Sequence, residues 1–257
     1  MSEITITTPR GIRLSGTINA PVDSNGSIVI FVHDFLSERS GGYRYDIMAA
    51  AFRRAGYTTL QFDFSGVGES EDDVITLAGS IEDLRSVCAW ANEQGYSKQF
   101  VVATAFGSLV ALSSDLDKVK SIILIDPMIT SVHYEWESIF PAEQLEKLDK
   151  DGVMRVFDDS PTSRKYFIIS KQTLADLSLT NIENALEEVK CPILILVTDY
   201  ENYNDILIEF TGKYFSKLSD GSKVDVIRDE SNNLKNLSNM LAEASISWCE
   251  LRSKNIS

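Results

Sequence analysis

The chain has 257 residues, of which 44% are hydrophobic and 24% charged, and a formal net charge of −14. This balance is ordinary for a globular protein, and the length allows one α/β domain with a full core. The negative charge disfavours binding to nucleic acid and to anionic membrane surfaces. No segment has the length and apolarity of a transmembrane helix, and the N-terminus lacks a signal-peptide pattern, so we expect a cytoplasmic protein.

The three cysteines, Cys88, Cys191 and Cys249, are widely spaced and odd in number. This pattern favours free thiols in a reducing compartment over a disulfide framework. No cysteine and histidine spacing indicates zinc, and we expect neither a metal nor another cofactor. Only two histidines occur, His33 and His133. Because histidine is the most frequent general base, this scarcity restricts the acid–base chemistry available to the chain.

The first elements in chain order are two stretches of alternating or β-branched residues, 3–8 and 12–19, which predict a hairpin at a sheet edge. A capping box at Ser80–Asp83 predicts the start of a helix that ends at Gly95. Apolar runs and periodicity predict further strands at 27–33, 57–64, 99–105, 119–126, 190–199 and 223–229, and further helices at 43–55, 106–116 and 234–252. This alternation predicts an α/β fold with a mostly parallel central sheet and helices on both faces.

Residues 128–187 interrupt the alternation and contain no good strand pattern. We expect them to form an aromatic-rich, helical or irregular cap over the ends of the strands, inserted within one domain that spans 1–257. The aromatic residues of this region either line a pocket or pack the cap onto the core, and the spacing does not decide between these roles; they are Tyr134, Trp136, Phe140, Tyr166 and Phe167.

Three stretches carry a family resemblance. His33-Asp34-Phe35 follows the first buried strand, the sequence DFSGVGES at 63–70 follows the next one, and a strand turns sharply into a helix near residue 105. Together with the order of the remaining strands, they resemble the α/β-hydrolase superfamily, in particular its small esterase, acyl-hydrolase and serine-aminopeptidase-like branch. The resemblance covers nearly the whole chain and implies the α/β-hydrolase fold.

The resemblance implies a nucleophilic serine in a Gly-x-Ser-x-Gly turn, where this chain reads ATAFG at 103–107. Ala105 takes the serine position, and its methyl group cannot attack a carbonyl. Thr104 and Ser108 are poor replacements, because the first precedes the turn and the second lies about one helical turn later.

The implied acid position holds Glu201, with Asp199 as the fallback. The implied base position holds Asn232, which cannot accept a proton near neutral pH. No histidine follows His133, so a shifted alignment does not restore the base.

The resemblance also implies an oxyanion hole formed by the backbone N–H groups of Phe35 and Phe106. Asp34 replaces the usual glycine, and we expect either that it adopts a positive φ in a turn or that it serves as an acid or base. His33 is expected to brace the oxyanion loop, whereas His133 is expected to be a surface or packing residue.

These features predict an α/β-hydrolase-fold protein that lacks the Ser-His-acid triad and is not a serine hydrolase. The leading hypothesis is a non-hydrolytic enzyme, of isomerase, epimerase, cyclase or lyase type, that binds a carbonyl-containing small molecule or peptide in a capped pocket. One alternative is a non-catalytic ligand-binding or scaffold protein. Another is an esterase or thioesterase with an inactivating mutation at Ala105. Homo-oligomerisation is left open.

Overall fold

The structure is a computed structural model, and it describes residues 1–128, 135–158, 164–179, 182–198, 212–231 and 233–254. The strands are β1 (Ser2–Thr7), β2 (Arg13–Asn19), β3 (Ser27–Val32), β4 (Thr58–Phe62), β5 (Val74–Ile75), β6 (Lys98–Thr104), β7 (Val119–Pro127), β8 (Val153–Phe157), β9 (Tyr166–Ser170), β10 (Ile193–Thr198) and β11 (Lys223–Ile227).

Eight of these strands form the main sheet, in the order β1-β2-β4-β3-β6-β7-β10-β11. The β1–β2 and β2–β4 pairs are antiparallel, and every other pair in this sheet is parallel. The central strand β6 places Val101 opposite Ile30 of β3 and Ile122 of β7. The predicted edge hairpin and the mostly parallel sheet are both confirmed.

Helices cover both faces of the sheet, and in chain order they are α1 (Arg44–Arg54), α2 (Leu77–Glu93), α3 (Ala105–Leu112), α4 (Trp136–Ile139), α5 (Ala142–Asp151), α6 (Lys171–Ser178), α7 (Ile182–Glu188) and α8 (Leu234–Lys254). One core cluster joins Ile30 to α2, α3 and α7, and the other joins Phe31 to α1 and α8. Successive residues of β3 are therefore buried on opposite faces, which explains its continuous apolar run.

Two predicted helix ends are wrong. Helix α2 begins at Leu77, and the side chain of Thr76 caps it by accepting a hydrogen bond from the Gly79 N–H at 3.0 Å. The proposed cap, Ser80, lies inside the helix, where its backbone N–H donates to the carbonyl of Thr76. Helix α3 ends at Leu112, four residues before the predicted end.

A second, smaller sheet has the strand order β5-β9-β8. Strands β8 and β9 both lie within 128–187, so the prediction that this region contains no strand is wrong. Met154 and Ile169 on their inner face form a small core with Leu148 of α5 and Leu174 of α6. The β8–β9 hairpin gains its third strand from β5, which lies about 80 residues earlier in the chain, and a local pattern does not show that partner.

In the part of the chain that the structure describes, no helix has both the length and the hydropathy needed to cross a membrane.

Candidate functional site at the β6–α3 turn

The turn between β6 and α3 has the backbone of a nucleophile elbow. Ala105 is the first residue of α3 and has a φ of 42°, a region that non-glycine residues seldom adopt. Gly107 follows in the first turn, where an added Cβ would lie 2.5 Å from the carbonyl oxygens of both Val32 and His33. The close approach of β3 to α3 therefore requires a glycine at 107.

The loop after β3 carries a side chain that accepts hydrogen bonds from backbone N–H groups next to the β6–α3 turn. Asp34 Oδ1 accepts a hydrogen bond from the Phe35 N–H at 2.7 Å and from the Phe106 N–H at 3.0 Å. The two backbone donors identified in the sequence thus converge on a single oxygen, and that oxygen belongs to the chain itself. The expectation of a positive φ at Asp34 is wrong, because the left-handed residue of this loop is Leu36, with a φ of 53°.

His33 joins the loop after β3 to the loop after β4. The Phe64 N–H donates to His33 Nε2 at 3.1 Å, so the proton of the neutral ring lies on Nδ1, which donates to the Asp34 carbonyl at 2.8 Å. The ring is buried, and burial lowers the pKa of His33 to about 4. At neutral pH the imidazole is uncharged, with both nitrogens engaged.

The DFSGVGES segment is explained by loop structure. The buried Asp63 carboxylate accepts hydrogen bonds from the backbone N–H groups of Arg39, at 2.7 Å, and Glu69, at 3.1 Å. An added Cβ at Gly68 would lie 2.3 Å from the Asp63 carboxyl carbon. Ser70 Oγ donates to the Asp63 carbonyl at 2.7 Å. These residues fix the loops on either side of the site and leave the Asp63 side chain occupied.

A cavity of about 240 Å³ lies beside the elbow, and its lining residues are Asp34, Ser37, Gly41, Arg44, Tyr45, Thr104, Ala105, Ile125, Asp126 and Leu234. Thr104 Oγ1 is hydrogen-bonded to the Tyr45 hydroxyl at 2.8 Å, and that hydroxyl also donates to the Val32 carbonyl at 2.7 Å. Burial raises the pKa of Tyr45, so its hydroxyl stays protonated.

Asp126 is a second carboxylate at this cavity, and sequence reasoning missed it. It lies near the end of β7 with a φ of 44°, and the next residue, Pro127, bridges to Ala105. Its two oxygens accept from the Thr198 N–H at 2.7 Å and the Thr198 hydroxyl at 2.8 Å. Burial raises the pKa of Asp126 despite these bonds. The available signal was an aspartate at the end of a buried parallel strand adjacent to β6.

No protein-family model and no curated protein matches the chain. Among solved structures, the chain is similar to the alpha/beta hydrolase GrgF from Penicillium sp. sh18, with 18% identity, 98% of each chain covered and a TM-score of 0.76. It is also similar to DcsB in complex with a substrate analogue, with 14% identity, coverage of 98% and 99%, and a TM-score of 0.75.

A further similar structure is Est1E from Butyrivibrio proteoclasticus with bound ferulic acid, with 16% identity, coverage of 95% and 98%, and a TM-score of 0.70. The chain has the α/β-hydrolase fold. The predicted fold class is thereby confirmed. Enzymes of this fold carry the nucleophile at a junction of strand and helix, and Ala105 is the residue at the β6–α3 junction of this chain.

Ser108 and Thr104, the two side chains considered as replacement nucleophiles, both form hydrogen bonds within the chain. The buried Ser108 Oγ donates to the Ala103 carbonyl at 3.3 Å, and Thr104 is bonded to Tyr45. Four predicted site residues, Glu201, Asn232, His133 and Tyr134, lie outside the described residues, as does Asp199.

The rings of Trp136, for which the sequence left pocket lining and packing open, and of Phe35, expected to act through its backbone N–H, both have packing contacts. Trp136 stacks on Phe140 with ring centroids 6.1 Å apart and packs against the small core, and it is not among the residues that line the elbow cavity. The Phe35 ring meets the Phe106 ring edge-on, and it too packs against the small core. Among the residues described, no cluster of three or more histidine, cysteine, aspartate or glutamate side chains could hold a metal ion.

Proposed function

We propose that this chain is a non-hydrolytic enzyme of the α/β-hydrolase fold, in which Asp34 acts as a general base on a small molecule bound in the elbow cavity. The observation that carries the proposal is the pair of hydrogen bonds from the Phe35 and Phe106 N–H groups to Asp34 Oδ1. These donors orient a carboxylate that lines the cavity, next to a methyl group at the nucleophile position.

Serine hydrolysis is a poor explanation of this site. It needs a nucleophile at position 105 and two free N–H groups for the developing oxyanion. Here position 105 is an alanine, and both N–H groups already donate to the Asp34 side chain. A fluorophosphonate probe should therefore leave the protein unlabelled, and stoichiometric labelling at a serine would contradict the proposal.

A fixed carboxylate beside a cavity suits reactions that begin with proton removal from carbon or oxygen. Such steps open isomerisations, epimerisations, cyclisations and eliminations, and a positioned base contributes roughly 10²–10⁴-fold to their rate. In this mechanism the two backbone N–H groups orient the base, and Asp34 Oδ1 takes the place of a substrate oxygen in the hole.

The proposal is tested with 5-nitrobenzisoxazole, an uncharged probe of carboxylate bases. The base takes the ring C–H proton, the N–O bond breaks, and coloured 2-cyano-4-nitrophenolate is released. We expect the protein to exceed an equal concentration of acetate, and Asp34→Asn to lose roughly 100-fold of that rate.

The exposed Asp23 supplies a matched control, since Asp23→Asn removes the same group at a position outside the cavity lining. The proposal fails if the protein is no faster than acetate, or if Asp34→Asn keeps the wild-type rate.

A non-catalytic ligand-binding protein is the second candidate, and one observation favours it. The polar groups around the elbow are largely satisfied within the chain: Asp126 by Thr198, Thr104 by Tyr45, and the oxyanion hole by Asp34. A site of this kind can hold a ligand without reacting. Native mass spectrometry of the purified protein, combined with an inactive result in the elimination assay, would select this candidate.

A further inference from the structure

Arg44 is a cation at the elbow cavity that acts on Asp126 through its charge alone. It is the first residue of α1, it is half-buried, and it lines the cavity together with Asp34 and Asp126. Its backbone N–H donates to the Gly41 carbonyl, but its guanidinium forms no hydrogen bond or ion pair with the described residues.

Other arginines of this acidic chain form salt bridges. Arg10 pairs with Asp83, Arg39 with Asp63, and Arg164 with Asp72. Because the chain has 38 acidic and only 24 basic side chains, partners for a guanidinium are plentiful. An arginine that faces a cavity with its planar fork free has the geometry to bind a carboxylate from outside.

The same cavity contains two fixed negative charges. The donors described above hold the Asp34 and Asp126 carboxylates in a cavity that Ala105 and Arg44 also line. Burial raises the pKa of Asp126, and the Arg44 charge acts in the opposite direction, so the two groups share one electrostatic environment. An ammonium group would complement these carboxylates, whereas a simple anion would be opposed by them.

Part of the remaining lining is apolar, and the cavity volume is small. Ala105, Ile125 and Leu234 contribute hydrocarbon surface, and the cavity of about 240 Å³ suits a ligand of roughly ten heavy atoms. One guanidinium, two carboxylates and an aliphatic wall form the complement of a zwitterion with an apolar side chain.

We propose that the elbow cavity binds a zwitterionic small molecule of the α-amino acid type. Its carboxylate binds the Arg44 guanidinium, its ammonium group lies between Asp34 and Asp126, and its side chain contacts Ile125 and Leu234. This inference rests on the proposed function in that it assigns a substrate class to the same site.

Calorimetry with three ligands that share one aliphatic side chain tests the assignment at pH 7. Leucine carries both charges, leucinamide lacks the carboxylate, and 4-methylpentanoate lacks the ammonium group. We expect leucine to bind at least about tenfold more tightly than either, since each lost charge removes a charge-assisted contact.

Removing one charged side chain should abolish the preference for leucine over one of the two other ligands. Arg44→Gln should bring leucine down to the affinity of leucinamide, and Arg44→Lys should restore part of the difference. Asp126→Asn should bring leucine down to the affinity of 4-methylpentanoate. Arg54→Gln is the matched control, because Arg54 is an exposed residue at the other end of the same helix, and it should retain both preferences.

The zwitterion assignment is overturned if leucine does not bind, if the three ligands bind equally, or if Arg44→Gln keeps the preference for leucine. The elimination assay and the calorimetry test the two proposals independently, so the failure of one is distinguishable from the failure of the other. The elimination probe is uncharged and reports on Asp34 as a base, whereas calorimetry reports on ligand charge whether or not any reaction occurs.

Discussion

At position 105 a methyl group sits on a backbone with a φ of 42°. The strain of such a residue, of order 1–3 kcal/mol, is sustained by the structure around it. That structure includes the bridge from Ala105 to Pro127 and the contact between Gly107 and the end of β3. The conformation of the elbow is thus set by the sheet and does not require a serine.

The buried imidazole of His33 predicts a loss of stability in acid. Its pKa is about 4 in the folded protein and near 6.5 in the unfolded chain. Unfolding therefore takes up a proton as the pH falls from about 6.5 to 4, and the free energy of unfolding should decrease by roughly 3 kcal/mol across that window. Above pH 6.5 the contribution is fully present.

The measurement compares denaturant unfolding of the wild type and His33→Asn between pH 4 and 7. The comparison is needed because burial raises the pKa of Asp83 to about 6, and that shift stabilises the fold as the pH falls. A stability difference between the two proteins that does not vary with pH would contradict the prediction. Since the chain has two histidines, NMR titration of the His33 ring checks the pKa directly, even if the variant folds poorly.

At the scale of single elements, the start of α2 gives a direct contrast between two hydroxyl residues. Thr76→Ala removes the side-chain acceptor for the Gly79 N–H and should lower the free energy of unfolding by about 1 kcal/mol. Ser80→Ala acts inside the helix, where alanine is favoured, and should cost less. Chemical denaturation of both variants decides the matter, and an equal or larger loss for Ser80→Ala would restore Ser80 as the cap.

The elements that the sequence predicts depend on residues close together in the chain, whereas the missed ones depend on residues far apart in it. Strand β3 is predictable because its apolar run is intrinsic to 27–32, and the edge hairpin because its two strands are neighbours in sequence. The cap of α2 was misplaced because Ser80-Ile81-Glu82-Asp83 has the composition of a capping box, whereas Thr76 is the residue with extended φ and ψ. Strand β9 was missed because its pairing with β5 is not local.

The candidate site was predictable only in part, for a similar reason. The positions of Ala105, Phe35 and Phe106 follow from motif and strand order. The bond from the Phe106 N–H to Asp34 joins residues 72 positions apart, and Asp126 meets Thr198 across the same separation. Side-chain contacts of this kind depend on the packing of β3, β6, β7 and β10, which a pattern of residue types does not contain.

For the molecule as a whole, Arg164 links the small sheet to the rest of the fold. Its guanidinium donates to the carbonyls of Gly68, at 3.2 Å, and Ser70, and it pairs with Asp72. Its side chain is only 10% exposed. We expect Arg164→Lys, which keeps the charge but loses the planar fork, to speed amide exchange in β8 and β9 by about 10–100-fold, while the main sheet stays protected.

Hydrogen exchange read by mass spectrometry reports both sheets in one experiment. Arg155→Lys is the control, because Arg155 lies in β8, stacks over the Tyr166 ring and acts on Asp72 through its charge but donates no hydrogen bond to the loop at 68–72. Uniform acceleration across both sheets, or an equal effect of the two substitutions, would contradict the view that Arg164 is the connection.

The Asp34 carboxylate can also be described as a tethered ligand. A group attached beside its own binding site has an effective concentration in the millimolar range or above, which free anions in solution seldom reach. Acetate or formate should therefore compete poorly for the Phe35 and Phe106 N–H groups, and those groups become available only when the side chain of Asp34 turns away. Access to these two backbone N–H groups is thus controlled by the rotation of a single side chain.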